Sequence, residues 1–165
     1  MSSIVTFYNC DPKDAPGTTM PARLGANVIL TKNGKLLLER RRDSDTWGLV
    51  GGGCKPRETG REAIAREVYE ELGLRIPKEK FRKLKVYDNP GRIAAYRDGS
   101  VWRMVIVVYE LELEGEPVLR LSRESREAGL FSPEEVRTLQ IPVTHRDIIE
   151  ECFLNRSRVP GAPEI

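Results

Sequence analysis

The chain is predicted to be α/β, with a mixed β-sheet held between helices, and three observations carry that prediction. One long helix is marked at both ends, beginning at Thr59 and stopping at Gly73. Strand-like segments lie on both sides of it in the sequence, and a closing helix follows the last of them. The strongest segment, Val101 to Leu113, contains Val105-Ile106-Val107-Val108, apolar on both faces as a central strand requires. At 165 residues the chain is long enough for one domain with its own core. Residues 21–155 are assigned to that domain, 1–20 to an N-terminal extension or edge strand, and 156–165 to a flexible tail.

Taken in order, Ile4-Val5-Thr6-Phe7-Tyr8 has the composition of a short strand, an edge strand or a homodimer contact, and Asp11-Pro12 and Ala15-Pro16-Gly17 read as turns. Ala22 to Thr31 is a strand, and Asn33-Gly34 is a hairpin signal leading into a second strand, Lys35 to Arg41. The run Arg40-Arg41-Arg42 ends that strand, either as a solvated edge or as a phosphate contact, with Arg40 and Arg42 the substrate-binding candidates. Trp47-Gly48-Leu49-Val50 then leads into three glycines. Beyond the helix, Phe81 to Tyr87 is a strand, Asp88-Asn89-Pro90-Gly91 a turn, and Arg97-Asp98-Gly99-Ser100 a loop or hairpin. Glu114-Gly115-Glu116-Pro117 breaks the central strand, and Arg126 to Phe131 adds a short one. Ser132 followed by Pro133 starts a short helix, and Thr144 to Leu154 reads as the last, with Ile148, Ile149, Cys152 and Phe153 on its apolar side.

The long helix carries the chemistry. Thr59 and Glu62 form a capping box, Gly73 occupies the left-handed stop position, and Ile64, Val68 and Leu72 make an apolar stripe. Glu67, Glu70 and Glu71 stand at i, i+3 and i+4, so they converge on one patch. Like charges so placed repel by a few tenths of a kcal/mol per pair. The patch is either an ordinary solvated helix face or a site where a divalent cation, Mg²⁺ or Mn²⁺, offsets the repulsion. Arg66 is placed to neutralise part of the cluster, and Glu58 precedes the helix where its dipole favours a carboxylate. Gly51, Gly52 and Gly53 free the backbone for close approach to a ligand.

The spacing Gly52, five residues, Glu58, seven residues, then Arg66-Glu67-Val68-Tyr69-Glu70-Glu71-Leu72-Gly73-Leu74 matches every fixed position of the Nudix box, G-x5-E-x7-R-E-U-x-E-E-x-G-U with U aliphatic. The chain therefore resembles the Nudix hydrolases. That resemblance implies an α/β/α sandwich and metal-dependent hydrolysis of a diphosphate linkage in a nucleoside diphosphate derivative or triphosphate. It implies metal binding by Glu67, Glu70 and Glu71 with help from Glu58, and an orienting role for Arg66; Gly52 and Gly53 would line the substrate. Glu67, Glu70, Arg66 and Glu124 form the expected catalytic set, Glu124 or Glu127 supplying the further carboxylate that many members bring from outside the box. Two departures stand out: Val50 replaces a usual proline, and Lys55-Pro56-Arg57-Glu58 lacks the upstream carboxylate and glycine of the usual E-x-G-E. The number of metals stays open. A proline at the spacing of Pro90 from Leu74 accompanies ADP-ribose hydrolysis in the family, while the compact chain suits nucleoside triphosphates equally.

With 27 basic and 25 acidic residues the net charge is +2, so bulk charge points to no nucleic-acid-binding face. That balance weighs against a second reading, processing of RNA 5′ ends, and the intact carboxylate set weighs against a third, a nucleotide sensor without turnover. No apolar run reaches membrane-spanning length, and residues 1–20 hold no secretory h-region. Cys10, Cys54 and Cys152 are odd in number and widely spaced, which fits a reducing cytoplasm rather than disulfides or zinc. His145 is expected to cap or sit at the surface, and Trp47, Tyr87, Tyr96 and Trp102 are the rings available either to stack on a base or to fill the core.

Overall fold

A computed structural model describes residues 5–156. The expectations for Ile4 and for the tail beyond Arg156 fall outside the described residues. The chain runs β1 (Val5–Asn9), β2 (Arg23–Lys32), β3 (Lys35–Arg41), β4 (Trp47–Gly48), β5 (Val50–Gly53) and α1 (Gly60–Leu72). It continues with β6 (Arg82–Tyr87), β7 (Arg92–Tyr96), β8 (Val101–Glu112), β9 (Ser125–Phe131), α2 (Pro133–Thr138) and α3 (Val143–Ile149).

β2 and β8 form the parallel centre of the sheet, paired from Arg23↔Met104 to Thr31↔Glu112. All other pairings are antiparallel. Residues alternate between faces along each strand. Ala26, Val28 and Leu30 of β2 join Val107 and Tyr109 of β8 beneath Ile64, Val68 and Leu72 of α1. The intervening Ile29, Ile106 and Val108 pack with Val136 of α2 and Ile148 and Ile149 of α3. Burial on both faces explains why these strands are continuous apolar runs, and it makes the fold an α/β/α sandwich.

The hairpin at Asn33-Gly34 takes positive φ at both residues, 50° and 76°, as a tight two-residue turn requires. Beyond it β2 and β3 separate. They pair only at Thr31↔Leu36 and Lys32↔Lys35, after which β2 turns to β5 (Gly25↔Gly53 to Val28↔Val50) and β3 to β4 and β9. This divergence opens the sheet.

Three strands were not anticipated: β4, β5 and β7. The first two are short and glycine-rich, and β7 (Arg-Ile-Ala-Ala-Tyr) gains strand geometry from pairing with β1 and β8. β1 lies at the edge of the sheet against β7. The final helix is regular only over Val143–Ile149; Glu150–Leu154 winds as a π-turn closed by Asn155 N–H donating to the Glu150 carbonyl at 2.8 Å.

α1 starts and stops where its sequence directs. The Glu62 N–H donates to Thr59 Oγ1 at 3.2 Å, the Thr59 N–H donates to Glu62 Oε2 at 2.9 Å, and Gly73 is left-handed at φ 73°. Thr59→Ala should lower stability by about 1 kcal/mol. The loss would appear as a lower urea midpoint at unchanged m-value, and an unchanged midpoint would show that tertiary packing alone sets the helix start.

Candidate active site

Arg66 is the hub of the helix's polar face. Its Nε and Nη2 donate to the two carboxylate oxygens of Glu58 at 2.7 and 2.9 Å. Nη1 donates to Glu67 Oε1 at 2.8 Å and Glu70 Oε2 at 3.0 Å, and Nη2 also donates to the Gly53 carbonyl at 3.0 Å. All five guanidinium N–H groups are thus used. The pairing holds the Glu58 carboxyl down to about 2 and raises Arg66 further above its ordinary range.

One turn on, Glu71 is buried, and its Oε2 accepts the Gly51 N–H at 3.0 Å. Beside it lies Glu39 of β3, 3% exposed, whose Oε2 accepts the Ser125 hydroxyl at 2.6 Å. Burial, then the charges of Glu39 and Glu67, push Glu71 up to about 10; burial chiefly raises Glu39 as well. Two carboxyls in one dry place cannot both ionise cheaply, so the pair retains a proton at neutral pH. Glu67 is also raised, first by burial and then by Glu70 and Glu124 against the pull of Arg66.

These groups line a cleft of about 470 Å³ where β2 and β3 part. Glu67, Glu71 and Glu124 line it, as do Gly52, Gly53 and Arg42. Gly52 is required by close approach: a Cβ there would lie 2.5 Å from Glu67 Oε1. Glu58, Glu70 and Arg66 flank the cleft without lining it, joined to it through Glu67 and the Gly53 carbonyl. Arg40 stays outside, because its guanidinium is taken up by Asp45 at 3.0 Å and Glu127 at 3.3 Å. The same pairing keeps Glu127 out, leaving Glu124 as the cleft carboxylate from beyond the helix.

The structure adds residues that pattern reading missed. Glu39, Asn27, Arg23, Arg41, Arg123 and Phe7 all line the cleft. The available signal was a polar residue interrupting an apolar strand, as Glu39 does after Leu36-Leu37-Leu38 and Asn27 between Ala26 and Val28. Arg41 is held by Asp43 at 2.9 Å and stacks 5.7 Å from the Phe7 ring, so β1 contributes to the cleft wall. Of the four rings singled out, Tyr96 lines the cleft. Trp47 packs edge-on against Phe131 at 4.8 Å, Tyr87 is buried with its hydroxyl donating to Glu151, and Trp102 lies beneath Arg23. The Cys54 thiol is pushed up by burial and by Glu58, so it is a poor nucleophile.

His145 is a correction. It neither caps nor faces solvent: it is 8% exposed, and its Nδ1 accepts the Leu49 N–H at 3.1 Å. The Leu49 amide and the adjoining Gly48, against which the ring lies, hold the imidazole inward.

The donor set fits a divalent cation. Every ligand candidate is a hard carboxylate oxygen, and Glu67 and Glu71 are raised by burial and by neighbouring carboxylates, a burden that a bound cation would relieve. Among the described residues no three such side chains encircle one point as they stand, since Arg66 occupies oxygens of Glu58, Glu67 and Glu70.

Residues 21–152 match the NUDIX domain family. A MutT-like protein of Streptomyces ambofaciens is 32% identical over 130 residues, 79% of this chain and 76% of the relative. The nucleoside triphosphatase NudI of Enterobacter sp. (strain 638) is 28% identical over 120 residues, covering 68% and 84%. The crystal structure of a MutT NUDIX hydrolase from Burkholderia pseudomallei superposes with a TM-score of 0.62 at 25% identity, over 79% of this chain and 97% of that one. The chain belongs to the Nudix family. It is a Nudix hydrolase, an enzyme of phosphoric anhydride bonds.

Burial lowers the pKa of His145 from its ordinary value to about 3, with Arg41 and Arg92 adding to the effect. Its stabilising contribution is therefore complete above about pH 6.5, the unfolded value, and is lost as pH falls toward 3. Below pH 6.5 the unfolded chain alone takes up this proton, a slope of about 1.4 kcal/mol per pH unit. His145 is the only histidine. The proton retained by the Glu39–Glu71 pair acts in the opposite sense over the same interval, so the readout is the difference between the two chains. From pH 6.5 to 5 the wild type should lose stability relative to His145→Gln in melting curves, and an equal slope in the variant would place the proton elsewhere.

Proposed function

We propose that the chain is a metal-dependent pyrophosphohydrolase that cleaves the diphosphate linkage of a nucleoside triphosphate or nucleoside diphosphate derivative, with Mg²⁺ or Mn²⁺ as cofactor. One observation carries the reading: the carboxylates ordered by Arg66 adjoin a cleft in which Glu67, Glu71 and Glu124 share space with arginines. Arg23, Arg42 and Arg123 make no ion pair among the described residues, so their charge is available to an anionic ligand. Acidic and basic groups side by side suit a polyphosphate held with a cation.

Glu67, Glu70 and Glu71 would hold the cation, with Glu58 fixing Arg66 behind them. When bound, the cation neutralises phosphate charge and acidifies water. Glu124 projects into the cleft from outside the helix and is the proposed acceptor of the proton lost by attacking water. Arg42, whose backbone N–H donates to the Glu124 carbonyl at 3.0 Å, links that carboxylate to the phosphate-facing side. The retained triphosphate reading is supported by the named activity of the Enterobacter relative. Three free cysteines accord with a reducing cytoplasm, and no described helix is long and apolar enough to cross a membrane.

The test is phosphate release from nucleoside triphosphates, ADP-ribose, nucleotide sugars and 5′-triphosphorylated RNA, with and without Mg²⁺ or Mn²⁺. Metal-dependent turnover of a nucleotide is expected, and Glu70→Gln and Glu67→Gln should each lower kcat by roughly 10²-fold or more. Mg²⁺ should also raise the melting temperature of the wild type and raise it less in Glu67→Gln. Tight nucleotide binding without hydrolysis would replace this reading with a sensor, and turnover confined to RNA would replace the substrate.

A further inference from the structure

Building on the nucleotide substrate, we propose that Asn27 reads the nucleobase, its side-chain amide pairing with a donor–acceptor edge of the heterocycle in the cleft. Asn27 is 4% exposed and lies on β2 between Ala26 and Val28, whose side chains enter the core under α1. Strand alternation therefore turns Asn27 to the opposite face, where it lines the cleft. Its amide offers two donors and an acceptor, yet among the described residues it makes no side-chain hydrogen bond. Its amide atoms therefore meet the cleft rather than packed protein, and they are available to a ligand that enters.

Two further groups on the cleft wall also have unused polar atoms. Thr144 is 5% exposed and its hydroxyl has no partner among the described residues. The neutral His145 spends Nδ1 on Leu49, so its proton resides on Nε2, a second donor without a partner among the described residues. Met104 and Ile106 of β8 and Tyr96 of β7 give this part of the cleft apolar and aromatic surfaces, and Arg41 and Asp43, which stand near His145, are paired with each other. Uncharged donors and acceptors beside such surfaces suit a flat heterocycle. An amide pairs in two-pronged fashion with a base edge that places a donor beside an acceptor, as adenine does with N6 and N7. Asn27 Nδ2 would lie 2.6 Å from a Cβ at Gly51, whose N–H anchors Glu71, so the amide and the carboxylates belong to one cleft and a single nucleotide could reach both.

The experiment is steady-state hydrolysis, with Mg²⁺, of ATP, GTP, CTP, UTP and the triphosphate of purine riboside, which lacks the exocyclic group at position 6. The wild type, Asn27→Leu and the isosteric Asn27→Asp are compared, and metal-free binding of the corresponding nucleosides is measured in parallel. The wild type should favour one base, and Asn27→Leu should raise KM for it about tenfold, the scale of one two-pronged pair, while kcat changes little. The same variant should level the ranking among bases and weaken nucleoside binding. An unchanged ranking with unchanged nucleoside affinity would overturn the proposal. If Asn27→Leu fails to fold, Asn27→Asp decides, because it reverses the donor side of the amide at constant shape. Asn27-dependent nucleoside binding without hydrolysis of any triphosphate would keep the base site and reject the proposed reaction.

Discussion

The guanidinium of Arg66 is the constraint on which the active-site architecture depends. Among the described residues it is the only group that touches Glu58 before the helix, Glu67 and Glu70 on it, and the Gly53 carbonyl in the preceding strand. A planar fork with five fixed donors does this; a lysine, with three donors on one point, would leave at least two of these contacts unmade. Because the contacts are charge-assisted and only 19% of the Arg66 side chain is exposed, they persist where exposed ion pairs would be screened. The helix phase then follows: with Glu67 held toward Gly52, Glu71 falls one turn further in, beneath the Gly51 amide.

The sheet supplies the second half of the arrangement. Divergence of β2 from β3 breaks the hydrogen-bond ladder on the side where α1 presents its acids. Strands from both halves of the chain then furnish walls of different character. β3 and β5 bring Glu39 and the glycines, β8 brings Met104 and Ile106, and α3 brings Thr144 and His145. The glutamates gather at the α1 side, while the buried neutral imidazole lies on the opposite face with apolar residues and the mutually paired Arg41 and Asp43. A ligand with one charged end and one flat uncharged end meets complementary surroundings along its length.

What the sequence disclosed follows a physical rule. α1 was legible to the residue because its boundaries and its acidic face are local: Thr59, Glu62 and Gly73 act within one turn of themselves. The Asn33-Gly34 turn and the Ser132-Pro133 helix start were legible for the same reason. β5 and β7 were not, since glycines and alanines become strand only when β2 or β8 lies alongside. Glu39, Asn27 and His145 required the fold as well. Nothing adjacent in sequence announces that Ser125 will donate to Glu39, or that the Leu49 amide, 96 residues away, will turn His145 inward. The pairing of Arg40 required the fold too, because a basic run does not reveal which of its members will find Asp45 and Glu127.

The wiring of the sheet has a consequence for how the molecule comes into being. Every residue of the box lies before position 75, yet β2 waits for β8 and β3 waits for β9, partners that emerge only in the later part of synthesis. A nascent chain halted between them would carry the complete signature and still lack the walls that Met104, Ile106, Glu124, Thr144 and His145 supply. Long-range parallel pairing is slow to close, and during that interval two apolar strands have an edge without a neighbour. Duplication or recombination that preserved the motif alone would therefore pass on a recognisable sequence without a working cleft, so the heritable unit is the whole sheet.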